Sequence, residues 1–271
     1  MTKKLMLLAM LVILLPTISF AAGEITISGD PLDITINNLG GKYVYYNNTR
    51  QYFGDSPFQT GLFLNGTAIK SQGGTWIIGA TQFVADSHET IEAGKVRTIV
   101  DAGSDIELQQ TITYVDGAAL YKIEWKLTNN SSNTFTDCRF IHGGDTYFGG
   151  DDSSIGHYEA ALGMVYLTNP DPNVDGIMGL MGDPSTPADR YMAGDLGDYG
   201  TDFMAGQLSN TENPNFRDAA YALQWNKATF APGDEWNIIA YEKWTAAGLV
   251  QVFAPSQKTA TPSELLLYQF T

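Results

Sequence analysis

YKIEWKLTNN, residues 121–130, is the stretch whose reading decides the fold. Tyr121, Ile123, Trp125 and Leu127 alternate with Lys122, Glu124 and Lys126, so apolar side chains go to one face and charged ones to the other. That is the pattern of an antiparallel strand with one face on a core and one in water. The strand ends in Asn129 and Asn130, and a second strand-like run, FTDCRFIHGG, follows at 135–144.

Outward from this pair, the same period of two recurs. EITISG (24–29), LDITINN (32–38), KYVYYNN (42–48) and TGLFLNG (60–66) each close in Asn or Gly. TWIIGATQFVAD (75–86), KVRTIVDAG (95–103) and DIELQQTITYVDG (105–117) continue it. Asn65-Gly66 and Asp116-Gly117 suit tight hairpins, because Gly tolerates positive φ and Asn or Asp visits it at low cost. Residues 219–244 read as two strands joined at Ala231-Pro232-Gly233-Asp234, and LVQVFAP (249–255) and ELLLYQF (264–270) as two more. No helical periodicity with caps at both ends is evident. The expected fold is all-β, a large antiparallel β-sandwich forming a single domain over residues 23–271.

The remaining segment, Asp171 to Asp202, lacks this pattern and is rich in Asp and Gly, so it reads as a long loop. Its methionines and Tyr191 give it something to pack.

The N-terminus indicates the compartment. Lys3 and Lys4 precede an apolar run from Leu5 to Leu15, and Ser19, Ala21 and Ala22 supply small residues. That order is a secretory signal peptide over residues 1–22, which places the protein in the periplasm, at the cell surface or outside the cell. The apolar run is shorter than the ~20 residues a membrane helix needs, and no later segment spans a membrane. Fifteen basic residues face 30 acidic ones, a formal charge of −15, so nucleic acid is an unfavourable partner. Cys138 is the single cysteine, which excludes an intramolecular disulfide and suggests a buried thiol on a strand.

Two clusters carry possible chemistry. DPNVDG places Asp171, Asn173 and Asp175 at alternate positions before Gly176, the opening of a calcium loop in which alternate oxygens meet one cation. Gly182 stands where the bidentate acid would be and no helices flank it, so an Asx-rich turn accounts for the same residues. RFIHGGDTYFGGDDSSIGHY (139–158) gathers His142, Asp145, Tyr147, Phe148, Asp151, Asp152 and His157. The histidines lack metal-ligand spacing, and the acids and aromatics form a candidate glycan-binding rim comprising Asp145, Tyr147, Phe148, Asp151, Asp152 and His157. If the protein is an enzyme, His142 or His157 with an acid such as Glu242 is the candidate catalytic set. His88, in DSHET, reads as a turn residue. No G-x-S-x-G elbow for a serine hydrolase occurs.

The run YKIEWKLTNNSSNTFTDCRFIHGGDTYFGG, residues 121–150, resembles the central strands of galactose mutarotase-like supersandwich proteins. In sugar epimerases of that family the turn reads His-Ser-Tyr-Phe, with the histidine as general acid. The matching residues here are Asp145, Thr146, Tyr147 and Phe148, and His142 comes three residues earlier. The resemblance implies a supersandwich and a sugar-facing sheet, without the family's catalytic histidine.

The sequence therefore leads to an exported, non-catalytic carbohydrate-binding or cell-surface sandwich, with a glycan as partner and calcium as an assisting ion. Its rivals are a sugar-active enzyme, epimerase-like or polysaccharide-lyase-like, and a structural envelope or assembly protein. The DTYFGGDD turn and the DPNVDG loop are expected at one end of the sheet.

Overall fold

The computed structural model describes residues 23–53, 58–72 and 81–245. The leader and the strands expected at 249–255 and 264–270 lie outside the described residues.

Strands β1 (Glu24–Ser28), β2 (Leu32–Asn37), β3 (Lys42–Tyr46) and β4 (Thr49–Arg50) form a small antiparallel sheet. The chain continues through β5 (Phe58–Leu64), β6 (Thr67–Ser71), β7 (Thr81–Gln82), β8 (Val84–Glu92), β9 (Lys95–Asp101), β10 (Ile106–Tyr114) and β11 (Leu120–Asn129). Then come β12 (Phe135–Asp145), a single 3-10 turn at Phe148–Gly150, β13 (Ser153–Glu159), β14 (Met164–Thr168), β15 (Ile177–Gly182) and β16 (Arg190–Asp195). Helix α1 (Leu196–Ala205), β17 (Thr211–Glu212), β18 (Arg217–Phe230) and β19 (Glu235–Thr245) complete it.

The 15 strands from β5 onward belong to one sheet, running β7-β6-β5-β12-β18-β13-β14-β15-β19-β11-β10-β9-β8, with β16 and β17 beside β18. It folds back on itself. Trp125 of β11 lies 5.3 Å from Phe140 of β12 and 5.8 Å from Trp225 of β18, ring centre to ring centre. Trp236 of β19 meets Phe140 and Phe230 across the same gap. The β12/β18 half and the β11/β19 half thus face each other over an aromatic core, an all-β sandwich as expected. Each large side chain buried there contributes about 1.5–3 kcal/mol.

The decisive strand behaves as its alternation requires: Tyr121, Ile123, Trp125 and Leu127 are buried, and the residues between them are half-exposed. Asn129 fixes its end, donating from Nδ2 to the carbonyls of Asn133 and Phe230 and accepting from Ser131 N. Asn65 and Gly66 take φ of 53° and 70°, so the β5–β6 hairpin turns as its dipeptide predicts. The small sheet sends Leu32, Ile34, Ile36 and Val44 into the common core.

Two expectations are corrected. Residues 171–202 are not one loop, because they contain β15, β16 and most of α1. β15 is buried on both faces from Met178 to Gly182, so its sequence shows no alternation. Helix α1 is built from weak local signals: Gly197 and Gly200 lie inside it, yet Tyr199 and Phe203, four apart, pack on Phe63, Ile141 and Met192. Asp195 caps it, accepting from Gly197 N and Asp198 N at 2.8 and 3.1 Å, and Gly206 closes it in the left-handed conformation. Tertiary packing overrides poor helix propensity here.

Candidate functional site

A fully buried charged group, a corner of three acids and one aromatic rim hold the polar chemistry of the sandwich.

The first group lies in the core. β3 brings Lys42, β12 brings His142 and β19 brings Glu242, and all three are fully buried. Lys42 Nζ is 3.0 Å from Glu242 Oε1 and 3.1 Å from His142 Nε2, and His142 Nε2 is 3.5 Å from Glu242 Oε1. Thr60, opposite His142 in the β5–β12 register, meets Nδ1 at 2.8 Å. An ammonium can only donate, so Nε2 accepts from Lys42 and the Nδ1 proton goes to Thr60 Oγ1. Tyr52 donates to Glu242 Oε2 at 2.6 Å, and Tyr121, opposite Glu242 in the β11–β19 register, donates to the same oxygen. Tyr221 then donates to Tyr52 Oη at 3.1 Å.

Burial pushes the Glu242 carboxyl up and the Lys42 amine down, and each opposes the other's shift. Burial, reinforced by Lys42, holds His142 far below the usual imidazole range, so it is neutral. The sequence pointed to His142 and Glu242 and missed Lys42. KYVYY reads as an ordinary strand start, and the 200 residues separating Lys42 from Glu242 hide the pairing.

The second group sits at the corner where the sheet passes from β18 to β13, a junction of two residue pairs, Ser153 with Asp218 and Ser154 with Arg217. Asp145 ends β12, Asp152 precedes β13 and Asp218 opens β18. Backbone bonds tie the three ends together: Thr146 N to Ala219 O at 3.0 Å, and Ala219 N to Asp152 O at 3.1 Å. One carboxylate oxygen from each of the three lies within 4.8 Å of the others. Burial, followed by the charges of Asp218 and Asp152, pushes Asp145 up to about 7. Burial also raises Asp152 and Asp218, the former further through Asp151 and the latter through Asp152 and Asp195.

The rim adjoins this corner. Phe53 is 48% exposed, and its ring lies 5.9 Å from that of Tyr147. Tyr147 is held by a bond from its N–H to Gln51 O at 2.9 Å, and Tyr52 bridges to Thr146. Asp151 accepts from Ser153 N at 2.9 Å, which shapes the turn. Gly149, at φ 68°, leaves room for Val174, since a Cβ there would lie 2.2 Å from Val174 Cγ1. The DTYFGGDD turn and the DPNVDG loop therefore do meet. Within that loop Asp171 Oδ1 accepts from Asn173 N at 2.9 Å and from Asn173 Nδ2 at 2.8 Å, an Asx turn.

The remaining candidates disperse. Phe148 is 3% exposed and belongs to the core rather than to the rim. His157 stacks on Tyr166 at 4.8 Å and bonds Thr168 at 2.8 Å, with partners different from those of His142. His88 is a buried β8 residue, not a turn residue: it bonds Thr98 Oγ1 at 2.9 Å and the Ile36 carbonyl at 3.0 Å, fastening the small sheet to the large one. Cys138 is buried and its thiol is pushed up to about 11, chiefly by burial, so it is inert.

No family model matches this chain, and no curated protein does. Among solved structures, it is similar to a heparan sulfate lyase HepC mutant from Pedobacter heparinus, with TM-score 0.52 and 11% identity. That match covers 85% of this chain and 36% of that one. A bacterial glucoamylase complexed with acarbose is similar with TM-score 0.57 and 12% identity, over 82% of this chain and 32% of that one. A galactose mutarotase-like protein from Lactobacillus casei ATCC 334 gives 0.46 and 11%, over 82% of this chain and 100% of that one. The chain spans about a third of the two enzymes, at 36% and 32% of their lengths. At such identities, the first two likenesses show a shared large β-sandwich and nothing about chemistry.

Proposed function

We propose that this protein is an exported carbohydrate-binding β-sandwich that holds a glycan at the Phe53–Tyr147 rim without catalysis. The observation that carries this is the half-exposed aromatic pair fixed beside Asp151 and the Asp145–Asp152–Asp218 corner. Aromatic faces take the apolar side of a sugar ring, and flanking oxygens take its hydroxyls. The two enzymes sharing this fold act on or bind carbohydrate, as their names state, which supports the same ligand class. A charge of −15 favours a neutral glycan, or an acidic one bridged by a cation. Asp171 Oδ1 is engaged by Asn173 in an Asx turn, so the bridging cation is not assigned to Asp171, Asn173 and Asp175.

Catalysis is disfavoured because His142, Lys42 and Glu242 are closed to solvent and bonded to one another. A sugar-active enzyme is the second reading, since His142 Nε2 and Glu242 Oε1 come within 3.5 Å of each other, with Lys42 donating to both. Envelope assembly through strand addition finds little support at β8. That strand is last on the sheet path, carries two register shifts and bears Asp86, Glu89 and Glu92, all of which blunt an edge.

A glycan array, run with and without EDTA on wild type, Phe53→Ala and Tyr147→Ala, tests the proposal. Binding should appear and fall about tenfold in each variant, the loss of one aromatic contact. Absence of any glycan binding, or binding indifferent to both substitutions, rejects it. Release of sugar products during incubation would transfer the weight to the enzyme reading.

A further inference from the structure

We propose that Asp145, Asp152 and Asp218 form a divalent-cation site, calcium in kind, at the corner where β18 passes to β13. It is a different place from the DPNVDG loop, and it stands whether or not a glycan binds the rim.

Three carboxylates from three strand ends bring ligand oxygens within 4.8 Å of one another, with the backbone bonds at Thr146 and Ala219 fixing their spacing. Among the described residues no Lys or Arg pairs with any of them, since Arg217 is occupied by Asp195 at 2.7 Å. One oxygen each of Asp145 and Asp152 is buried without a hydrogen-bond partner. A second, independent feature points to the same place. Tyr199 of α1 is 4% exposed, its hydroxyl has no hydrogen-bond partner among the described residues, and it lies near enough to Asp145 to feel that carboxylate's charge. Buried polar atoms are rarely left unmatched, and three belong to this corner, on Asp145, Asp152 and Tyr199, beside the exposed carboxylate of Asp218.

Oxygen-only ligands with several negative charges suit hard cations, and calcium, with six to eight flexible ligands, tolerates an irregular corner better than magnesium does. Water would complete the shell, and the Tyr199 hydroxyl would bond one such water or a ligating carboxylate. The charged groups around the corner are Asp151 and Asp195, with Arg217 turned to Asp195.

The test is calorimetric titration of the full chain, stripped with EDTA, with calcium chloride, with magnesium chloride as a second arm and melting curves in parallel. One calcium should bind with Kd of about 10⁻⁴ to 10⁻³ M, the range of extracellular modules, and raise Tm. Asp145→Asn and Asp218→Asn should each weaken binding by about tenfold or more, because each removes a charged ligand. Asp218 is exposed, so its variant should fold normally. In EDTA, Asp145→Asn should melt higher than wild type, since an amide relieves the repulsion, while its calcium-induced shift disappears. A purely structural aspartate would give a lower Tm instead. Asp171→Asn should leave binding unchanged. Wild type without heat or Tm shift at millimolar calcium, unchanged affinity in both corner variants, or loss confined to Asp171→Asn overturns the proposal.

Discussion

The core group buries its acid completely and the corner group buries two of its three acids in part, and they resolve the cost in opposite ways. Glu242 has an internal counter-ion, two phenol donors and a neutral histidine within reach. Asp145 has two further carboxylates and an unbonded phenol. A buried charge is tolerated when it is paired and hydrogen-bonded. The comparison teaches that completeness marks the interior group as architecture, joining β3, β12 and β19, whereas incompleteness marks the corner as a place for something to bind.

The largest effect should follow from breaking the complete group. Glu242→Leu leaves the Lys42 ammonium buried without its partner and should cost about 3–5 kcal/mol in urea unfolding. Lys42→Met combined with Glu242→Leu should recover much of that loss. If the single substitution is nearly neutral, the pair is not an internal compensation and the contrast with the corner fails.

The next effect is on pH dependence at the corner. Asp145 is raised in the folded protein to about 7, above its value of 3.8 when unfolded. The folded state therefore holds its proton more tightly, so stability in EDTA should fall as pH rises from about 4 to about 7 and then level off. Urea midpoints of wild type relative to Asp145→Asn isolate this term, and calcium should flatten it. A flat difference without calcium would show that Asp145 is already compensated.

Smaller still, Phe53→Ala should lower glycan affinity about tenfold while changing stability by no more than about 0.5 kcal/mol, as an exposed surface residue. Asp171→Asn should change stability by no more than about 0.5 kcal/mol, since an Asn side-chain oxygen accepts the same turn bond, and should leave calcium affinity untouched.

The sandwich was legible because its central strands have one wet face, and 121–130 displayed the period of two without interruption. β15 was not, since burial on both faces erases the alternation, and α1 was not, since its two anchoring aromatics are interrupted by glycines. The meeting of the 145–152 turn with the 171–176 loop was readable from their shared position after strand ends, and Gly149 against Val174 bears it out. Asp145 and Asp152 were legible as a polar turn. Asp218 was not: it opens β18 and reaches the corner through sheet pairing alone. Lys42 was hidden for the same reason, its partner lying at the far end of the chain.

The most direct measurement is a carboxyl carbon NMR titration of Asp145, with and without calcium. The account predicts a midpoint near 7 in EDTA and a carboxylate already ionised through the same range once calcium is bound. A midpoint near the ordinary aspartate value in EDTA, unmoved by calcium, would contradict it.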